Sequence, residues 1–569
     1  MLVDVVTSVI RPQLTTGAKT VSAAYGKIIY QAWCDAENGS GAGVPPRKSL
    51  SIEGQNGCQQ ALEDCVQGLL RDGVHAVEAK YFRGVRYLLQ AFHDVQRSKL
   101  DNMLLRIYDP ILWRSLKCAN AQVRSQAAVM FLDVFPLQHA DGRAEDNDKI
   151  LQKQFDLLAA LLTDSDHQVR AHAAQGVCHI LKEYWDSLPV NTTHNILKFL
   201  VDTLSVDASC ANVRHAVFVG LYELFQQPLA HGVLKQLLPL LRNSIHDKAE
   251  KVRVAFIRIL CQMKGIRGMH FYDVVSVDHL LERLAQDRRC PAVCEVMSEL
   301  LLNSFFPMND STNSTVAGGL ETEQLNRCIQ FVDKNLIAAE AFYYHLTKFV
   351  SVGHVAKLAT VLFTFLVTTE ARAQKEAIDN LDNETGKRRR NTTVQHNISN
   401  ENMYYPANFL HFLQAPVPLS LKVRVGMMRV VLQLLESVQD QLTIQHPARD
   451  LLAKYITEDH TRTLVAAALR YDTNAAIVLL PTALQLVSHS LAIRQLYDSL
   501  PKTDQIQRAA REEGRHDWMS MLVDVFVPAW TACSTEAART VLAQAVVEVL
   551  CTAGEEVTMM FSFTHLLHV

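Results

Sequence analysis

Glycine is scarce in this chain, 23 of 569 residues, which argues against a glycine-rich β architecture and favours helices. Excess charge is also missing. The formal net charge is -3, so the chain as a whole does not carry the basic balance of a nucleic-acid-binding domain, and any such surface must come from uneven placement of charge. The 12 cysteines include no CxxC pair; Cys290 and Cys294, at an i, i+4 spacing in an apolar helical pattern, read as buried thiols rather than zinc ligands. Long apolar runs are absent: stretches such as 358–367 fall short of the about 20 residues that span a bilayer. No secretory signal follows Met1, so the sequons at Asn309, Asn313 and Asn391 carry little meaning. A reducing compartment, cytosol or nucleus, fits best. Catalytic signatures are missing too. There is no P-loop ("TTGAKT" lacks the upstream glycine and strand), no HExxH, no GxSxG and no kinase set. His172, Cys178 and His179 share one helical stretch without further ligands and read as ordinary helix residues. The chain is expected not to be an enzyme and to need no cofactor or metal.

What is present is a repeat. At this length a single core is excluded, since cores stop growing near about 250–300 residues, leaving several domains or a one-dimensional array. The dipeptide Val-Arg recurs just after a short polar turn, with arginines at 124, 170, 214 and 253, spaced by 46, 44 and 39 residues. A degenerate copy has Val293-Cys294, and an earlier one Val85-Arg86. Periods of about 40–47 residues with two helices each mark HEAT or armadillo arrays. In one unit, 155–162 is a short apolar helix, "TDSDH" is the turn, and Asp166 is placed to cap the next helix. That helix then carries Val169, Ala173, Val177, Ile180 and Leu181 on one face. Other first helices read as 110–116, 196–204, 234–245 and 277–285, with Pro110 in a first turn and Pro239 at a kink. Neither helix of a unit can bury its apolar face alone; stacking does so. The expected fold is therefore all-α, a HEAT-repeat superhelical solenoid. The recurring arginines Arg124, Arg170, Arg214 and Arg253 are expected to pair with acidic turn residues such as Asp166 or Asp247, of their own or a neighbouring unit, rather than to contact DNA.

The remaining chain divides as follows. Residues 1–35 form a partial helical segment, 36–57 a flexible Gly/Ser/Pro-rich loop, and 58–306 the HEAT array. A polar break covers 307–323, a helical continuation 324–370, a disordered charged linker 371–402, and a helical HEAT-like region 403–569. Lys387, Arg388, Arg389 and Arg390 read either as a nuclear localisation signal or as a solvated charge run. An amphipathic helix starts at Met1 with no capping repeat before it, so the chain is expected to be a piece of a longer protein. From Lys80 to Arg124 there are nine basic residues against three acidic, and from Arg242 to Arg289 ten against six. In a solenoid the first stretch, Lys80, Arg83, Arg86, Arg97, Lys99, Arg106, Arg114 and Lys117, reads as a candidate DNA-contact surface tracking phosphates; the alternative is an exposed face that simply carries Lys and Arg.

Several segments carry a resemblance. "LLRIYDPILWRSLKCANAQVRSQAAVMFLDVFPL" (104–137), "LLPLLRNSIHDKAEKVRVAFIRIL" (237–260), "NSFFP" (303–307), "AEAFYYH" and "HVAKLATVL" together resemble the HEAT-repeat G-type non-SMC subunits of condensin II, over roughly residues 70–370. That resemblance implies a complex with a pair of SMC ATPases, a kleisin and a second HEAT subunit. The kleisin would thread the HEAT groove, the two together would grip double-stranded DNA, and ATP hydrolysis would belong to the SMC partners. It further implies a nuclear, chromosomal protein acting in mitotic chromosome condensation and segregation, with no membrane association. The chain departs from the family pattern at 36–57, at its ends and in its C-terminal half. The other reading of the residues is a protein-only HEAT adaptor, for transport or phosphatase regulation, without DNA binding.

Overall fold

The computed structural model describes residues 6–37, 52–95, 97–140, 142–308, 317–385 and 420–439. The chain divides into two compact units, 1–275 and 276–569. The described residues are helical, with no strand among them, and none of their helices is long and apolar enough to cross a membrane.

In the first unit, after a short helical start, the helices are α1 (Lys19–Glu37), α2 (Ile52–Val74), α3 (Ala79–His93), α4 (Ser98–Ser115), α5 (Ala121–Val134) and α6 (Ala144–Leu162). There follow α7 (His167–Tyr184), α8 (Val190–Asp202), α9 (Ala211–Leu224), α10 (His231–Leu237, continued as a 3-10 segment Leu238–His246) and α11 (Glu250–Met263). The odd-numbered helices α1 to α11 pack each on the next to form one layer. The even-numbered helices cover them, α2 on α1 and α3, α4 on α5, α6 on α7. This is the two-helix HEAT arrangement, and the apolar spacing explains it. Val169, Ala173, Val177, Ile180 and Leu181 of α7 are all buried, as are Val213, Val217, Phe218 and Leu221 of α9. The inner helices are covered on more than one side, so α5 has Ala127, Ala128, Met130 and Phe131 fully buried. Small residues permit the closest crossings. A Cβ on Gly26 would fall 2.1 Å from the Leu88 carbonyl oxygen, and one on Gly220 would fall 2.8 Å from Cys178 Cβ and Sγ.

Helix starts follow the local chemistry. Asp166 accepts hydrogen bonds from the Gln168 and Val169 N–H groups (2.8 and 3.2 Å), and Asn120 accepts from Gln122 (2.9 Å), satisfying first-turn donors. Two first helices are longer than their sequence signals. The helix read at 155–162 begins at Ala144. The helix read as starting at Pro110 runs Ser98–Ser115 with Pro110 in its interior. That proline removes one backbone bond, yet the helix continues because Leu104, Leu105, Ile107, Tyr108 and Leu112 are buried on both sides of it. At Pro239 the α-helix gives way to the 3-10 segment.

The second unit holds α12 (Val277–Gln286), α13 (Pro291–Phe305), α14 (Ala317–Lys334), α15 (Leu336–His345), α16 (Val352–Thr385) and α17 (Leu421–Gln439). α15 lies against α12, α13, α14 and α17. Its Phe342 meets Phe305 and Phe331, whose own rings stack at 3.9 Å, and Asn335 caps it at the Ala338 N–H (3.1 Å).

Three boundaries differ from the sequence reading. Residues 52–57, read as loop, open α2, and 36–37 close α1; residues 38–51 lie outside the described residues. Residues 317–323, read as a polar break, begin α14. Residues 371–385, read as the start of a disordered linker, continue α16. In "ARAQKEAIDNLDNET" the run of Ala, Gln, Lys, Glu and Leu without glycine or proline favours helix despite its charge. The basic cluster Lys387, Arg388, Arg389 and Arg390 falls outside the described residues, and of 403–569 only 420–439 are described.

Candidate functional site

The recurring arginines form a ladder along the turns of the first unit. Arg124 clamps Asp164 with two bonds of 2.8 Å and donates to the Cys118 and Ala119 carbonyls, both 2.9 Å. Arg170 reaches Asp207 (3.0 Å) and Ser209 (2.6 Å) and donates to the Asp164 and Ser165 carbonyls. Arg214 clamps Asp247 (2.6 and 2.9 Å) and donates to the Asp207 carbonyl (2.7 Å). Arg253 donates to the Asp247 and Lys248 carbonyls. Each of the first three guanidiniums thus ties its own turn to the acidic residue of the next unit. The acid two positions before Asp166, Asp164, takes the ion pair, while Asp166 itself only caps α7. The carboxylates also accept backbone N–H groups, from Asp166, from Ser209 and Cys210, and from Ala249. Burial pushes Asp164, Asp207 and Asp247 up, but these bonds together outweigh it and hold all three below the usual carboxylate value. The bond to the partner carboxylate raises Arg124 and Arg214 further. Arg124, Arg170 and Arg214 thus each bridge two successive repeats, and Arg253 is bonded to its own turn.

The basic stretch divides between the two layers. Lys80, Arg83 and Arg86 lie on α3, while Lys99, Arg106 and Arg114 lie on α4, with Arg97 just before it and Lys117 just after. Four are engaged within the fold. Arg86 clamps Asp133 (2.5 and 2.8 Å). Its Val85-Arg86 pair sits in mid-helix, so it is not an earlier copy of the turn motif. Arg97 donates to Cys34 Sγ (3.2 Å), Lys99 pairs with Glu37 (3.0 Å), and Arg106 pairs with Glu63. The other four, Lys80, Arg83, Arg114 and Lys117, are exposed. Gln122 donates to the Ala76 and Val77 carbonyls (3.0 and 3.1 Å). This bond joins the turn before α3 to the start of α5, so Lys80 and Arg83 at the beginning of α3 and Arg114 and Lys117 at the end of α4 flank one edge of the unit.

Beside α4 lies an open groove of about 670 Å³, reached by side chains of α2, α4 and α6 with Trp33 of α1 and His139. Its base is the buried Glu63 carboxylate, 2% exposed, which accepts from Trp33 Nε1 (3.2 Å) and Gln59 Nε2 (3.0 Å) and pairs with Arg106. Lys153 stands 4.6 Å from the centre of the Trp113 ring and 3.5 Å from Asp109. Sequence reasoning identified Lys99 and Arg106 but missed Glu63, Trp113 and Lys153, since nothing in their local pattern announces that three separate helices meet here.

No group of three His, Cys, Asp or Glu among the described residues is arranged to hold a metal. Cys294 is buried with its thiol on the Asp287 carbonyl (3.1 Å), while Cys290 is half-buried.

Residues 1–139 match the family model described as condensin II non structural maintenance of chromosomes subunit. The chain is 36% identical over 339 residues to the human (Homo sapiens) condensin-2 complex subunit G2, covering 59% of this chain and 29% of that protein. To the Danio rerio condensin-2 complex subunit G2 it is 35% identical over 355 residues, covering 62% of this chain and 29% of the relative. The chain thus spans less than a third of the length of these relatives. Among solved structures it is similar to importin beta at 12% identity and a TM-score of 0.28, over 98% of this chain and 72% of the other, a likeness too loose to carry any argument. With the two-helix repeats and the match over 1–139, the chain is similar to the condensin II non-SMC G2 subunits.

Proposed function

We propose that the chain is a non-catalytic regulatory scaffold of a condensin II complex that binds the kleisin subunit and, with it, helps grip double-stranded DNA for mitotic chromosome condensation and segregation. The SMC ATPase pair and a second HEAT subunit are its further partners, and its place is the nucleus and chromosomes. The family match carries the assignment to the complex. The observation that supports a DNA contact is the edge bearing Lys80, Arg83, Arg114 and Lys117, four exposed cations that make no ion pair with the described residues. Arg86 and Arg97 already have partners inside the fold and contribute less, while Lys99 and Arg106, paired but with exposed side chains, stand at the separate groove beside α4. A scaffold role also suits stacked helices whose recurring chemistry is spent on Arg–Asp pairs between units rather than on a reactive cluster.

The test is binding of a labelled DNA duplex across a salt series, with and without a kleisin segment, for the parent chain and for Lys80→Gln, Arg83→Gln, Arg114→Gln, Lys117→Gln combined. Removing one cation that neutralises a phosphate lowers the salt slope by about 0.9, so the combined variant is expected to lose up to about 3.6 of the slope. An unchanged slope removes this edge from the DNA-binding surface. A chain that binds kleisin but no DNA at any salt is a protein-only adaptor.

A further inference from the structure

The groove over Glu63 is explained neither by repeat stacking nor by the exposed edge, whose four cations do not line it. Part of its floor is apolar: the buried Met103 and Leu105 line it together with Ile150, Trp33 and Trp113. Around the opening stand Lys99, Arg106 and Lys153, whose side chains are 68, 57 and 53% exposed. Two of the carboxylates that balance them, Glu37 and Glu63, are only 7 and 2% exposed. The formal charges cancel, but an incoming group meets the cations first, with Asp109 as the one exposed acid in the lining. Among the described residues the Trp113 Nε1–H is shielded from solvent and has no acceptor. Its ring is fixed edge-on to Phe131, 5.6 Å between centroids, with the Lys153 ammonium on a face.

We propose that this groove is a docking site for a linear acidic segment of a partner protein, one large apolar side chain entering the floor and flanking carboxylates pairing with Lys99, Arg106 and Lys153. The volume lies within the about 300–1,000 Å³ of ligand pockets and takes a few residues rather than a helix or a domain. Duplex DNA fits less well. Its backbone offers no apolar group for the floor, and Glu63 and Asp109 oppose phosphates placed deep in the groove. The docking site does not depend on the scaffold role, because any HEAT protein with this groove would bind such a segment.

The probe is a random 12-residue peptide library displayed on phage and selected on the full chain, the enriched peptides then synthesised with a fluorescent label. They are expected to be net acidic with at least one large apolar residue. Lys153→Glu and Lys99→Gln, both on exposed side chains, are each expected to weaken binding about tenfold, in line with removal of a charge-assisted hydrogen bond. Lys149→Glu, exposed on the same helix as Lys153 but outside the groove, is expected to change it less than about twofold. Circular dichroism melts of all three variants check that the fold is kept. Failure to enrich any peptide, enrichment of neutral or basic peptides, or affinity indifferent to Lys153→Glu overturns the proposal. So does displacement of the peptides by a DNA duplex with the same sensitivity to Lys153→Glu, which makes the groove a phosphate site instead.

Discussion

Replacing Arg214 by Met tests whether the Arg–Asp ladder holds the first unit together. Methionine keeps most of the aliphatic volume and removes the two bonds to Asp247, at 2.6 and 2.9 Å, and the bond to the Asp207 carbonyl at 2.7 Å. Asp247 is left 10% exposed, with the Ala249 N–H at 2.8 Å as a remaining donor. Removing one partner of a buried pair costs about 3–5 kcal/mol, while exposed pairs contribute about 0–1 kcal/mol. With 15% of the arginine side chain still exposed, solvent screening discounts the buried figure, and a loss of about 2–3 kcal/mol is expected. Adding Asp247→Asn removes the stranded charge and is expected to recover about 1 kcal/mol. The assay is urea unfolding followed by circular dichroism, reading a shift in midpoint at constant slope. Lys149→Ala is the control, its pair with Asp146 having side chains 76 and 58% exposed. If Arg214→Met stays within about 0.5 kcal/mol of the parent, as the exposed control should, the ladder is geometry without energy and the reasoning is refuted.

Stability should decline in two windows as the solution is acidified. His93 is pushed down to about 4 by burial, below its unfolded value of about 6.5; its contribution is complete above the unfolded value and is lost as pH falls from there through 4, so His93→Gln should flatten the urea midpoint over that range. Asp164, Asp207 and Asp247 are likewise depressed, so their contribution is complete above about 3.9 and is lost as pH falls through the lower folded values; Asp207→Asn should make that acid limb shallower. Gly220→Val places branched carbons where Cys178 already lies 2.8 Å from a Cβ position, and a loss of at least about 1–3 kcal/mol in urea unfolding is expected. Thiol labelling followed by peptide mapping should modify exposed Cys58 in the native chain and leave Cys178 and Cys328 untouched until unfolding, since burial pushes both thiols up, Cys328 to about 12.

The repeats were legible because their signal is local. A polar turn, a capping acid and apolar residues at helical spacing all fall within some 20 consecutive positions, and Asp166 and Val169 to Leu181 do in the structure what the pattern suggests. The ladder was legible in kind but not in partner. An arginine in the first turn of a helix folds back over its own turn, and the carboxylate it meets lies one repeat away, at a distance in sequence that no spacing rule fixes. The boundaries at 52–57, 317–323 and 371–385 were misread because polar composition was weighed above helix propensity. The basic stretch was only partly legible for a different reason. Counting charge along the chain cannot show that Arg86, Lys99 and Arg106 already face Asp133, Glu37 and Glu63 from other helices. The groove was invisible, because its walls come from α2, α4 and α6 and its meaning arises only when they stand side by side.

The DNA-gripping role is tested most directly by duplex affinity, measured from low to physiological salt for the chain alone, for the chain with a kleisin segment, and for the variant lacking the charges of Lys80, Arg83, Arg114 and Lys117. The expected result is affinity that appears or rises with kleisin, falls steeply with salt, and loses slope in the variant. Kleisin binding with no DNA affinity at any salt, from a chain whose circular dichroism shows it folded, contradicts the DNA-gripping scaffold and leaves a protein-only adaptor.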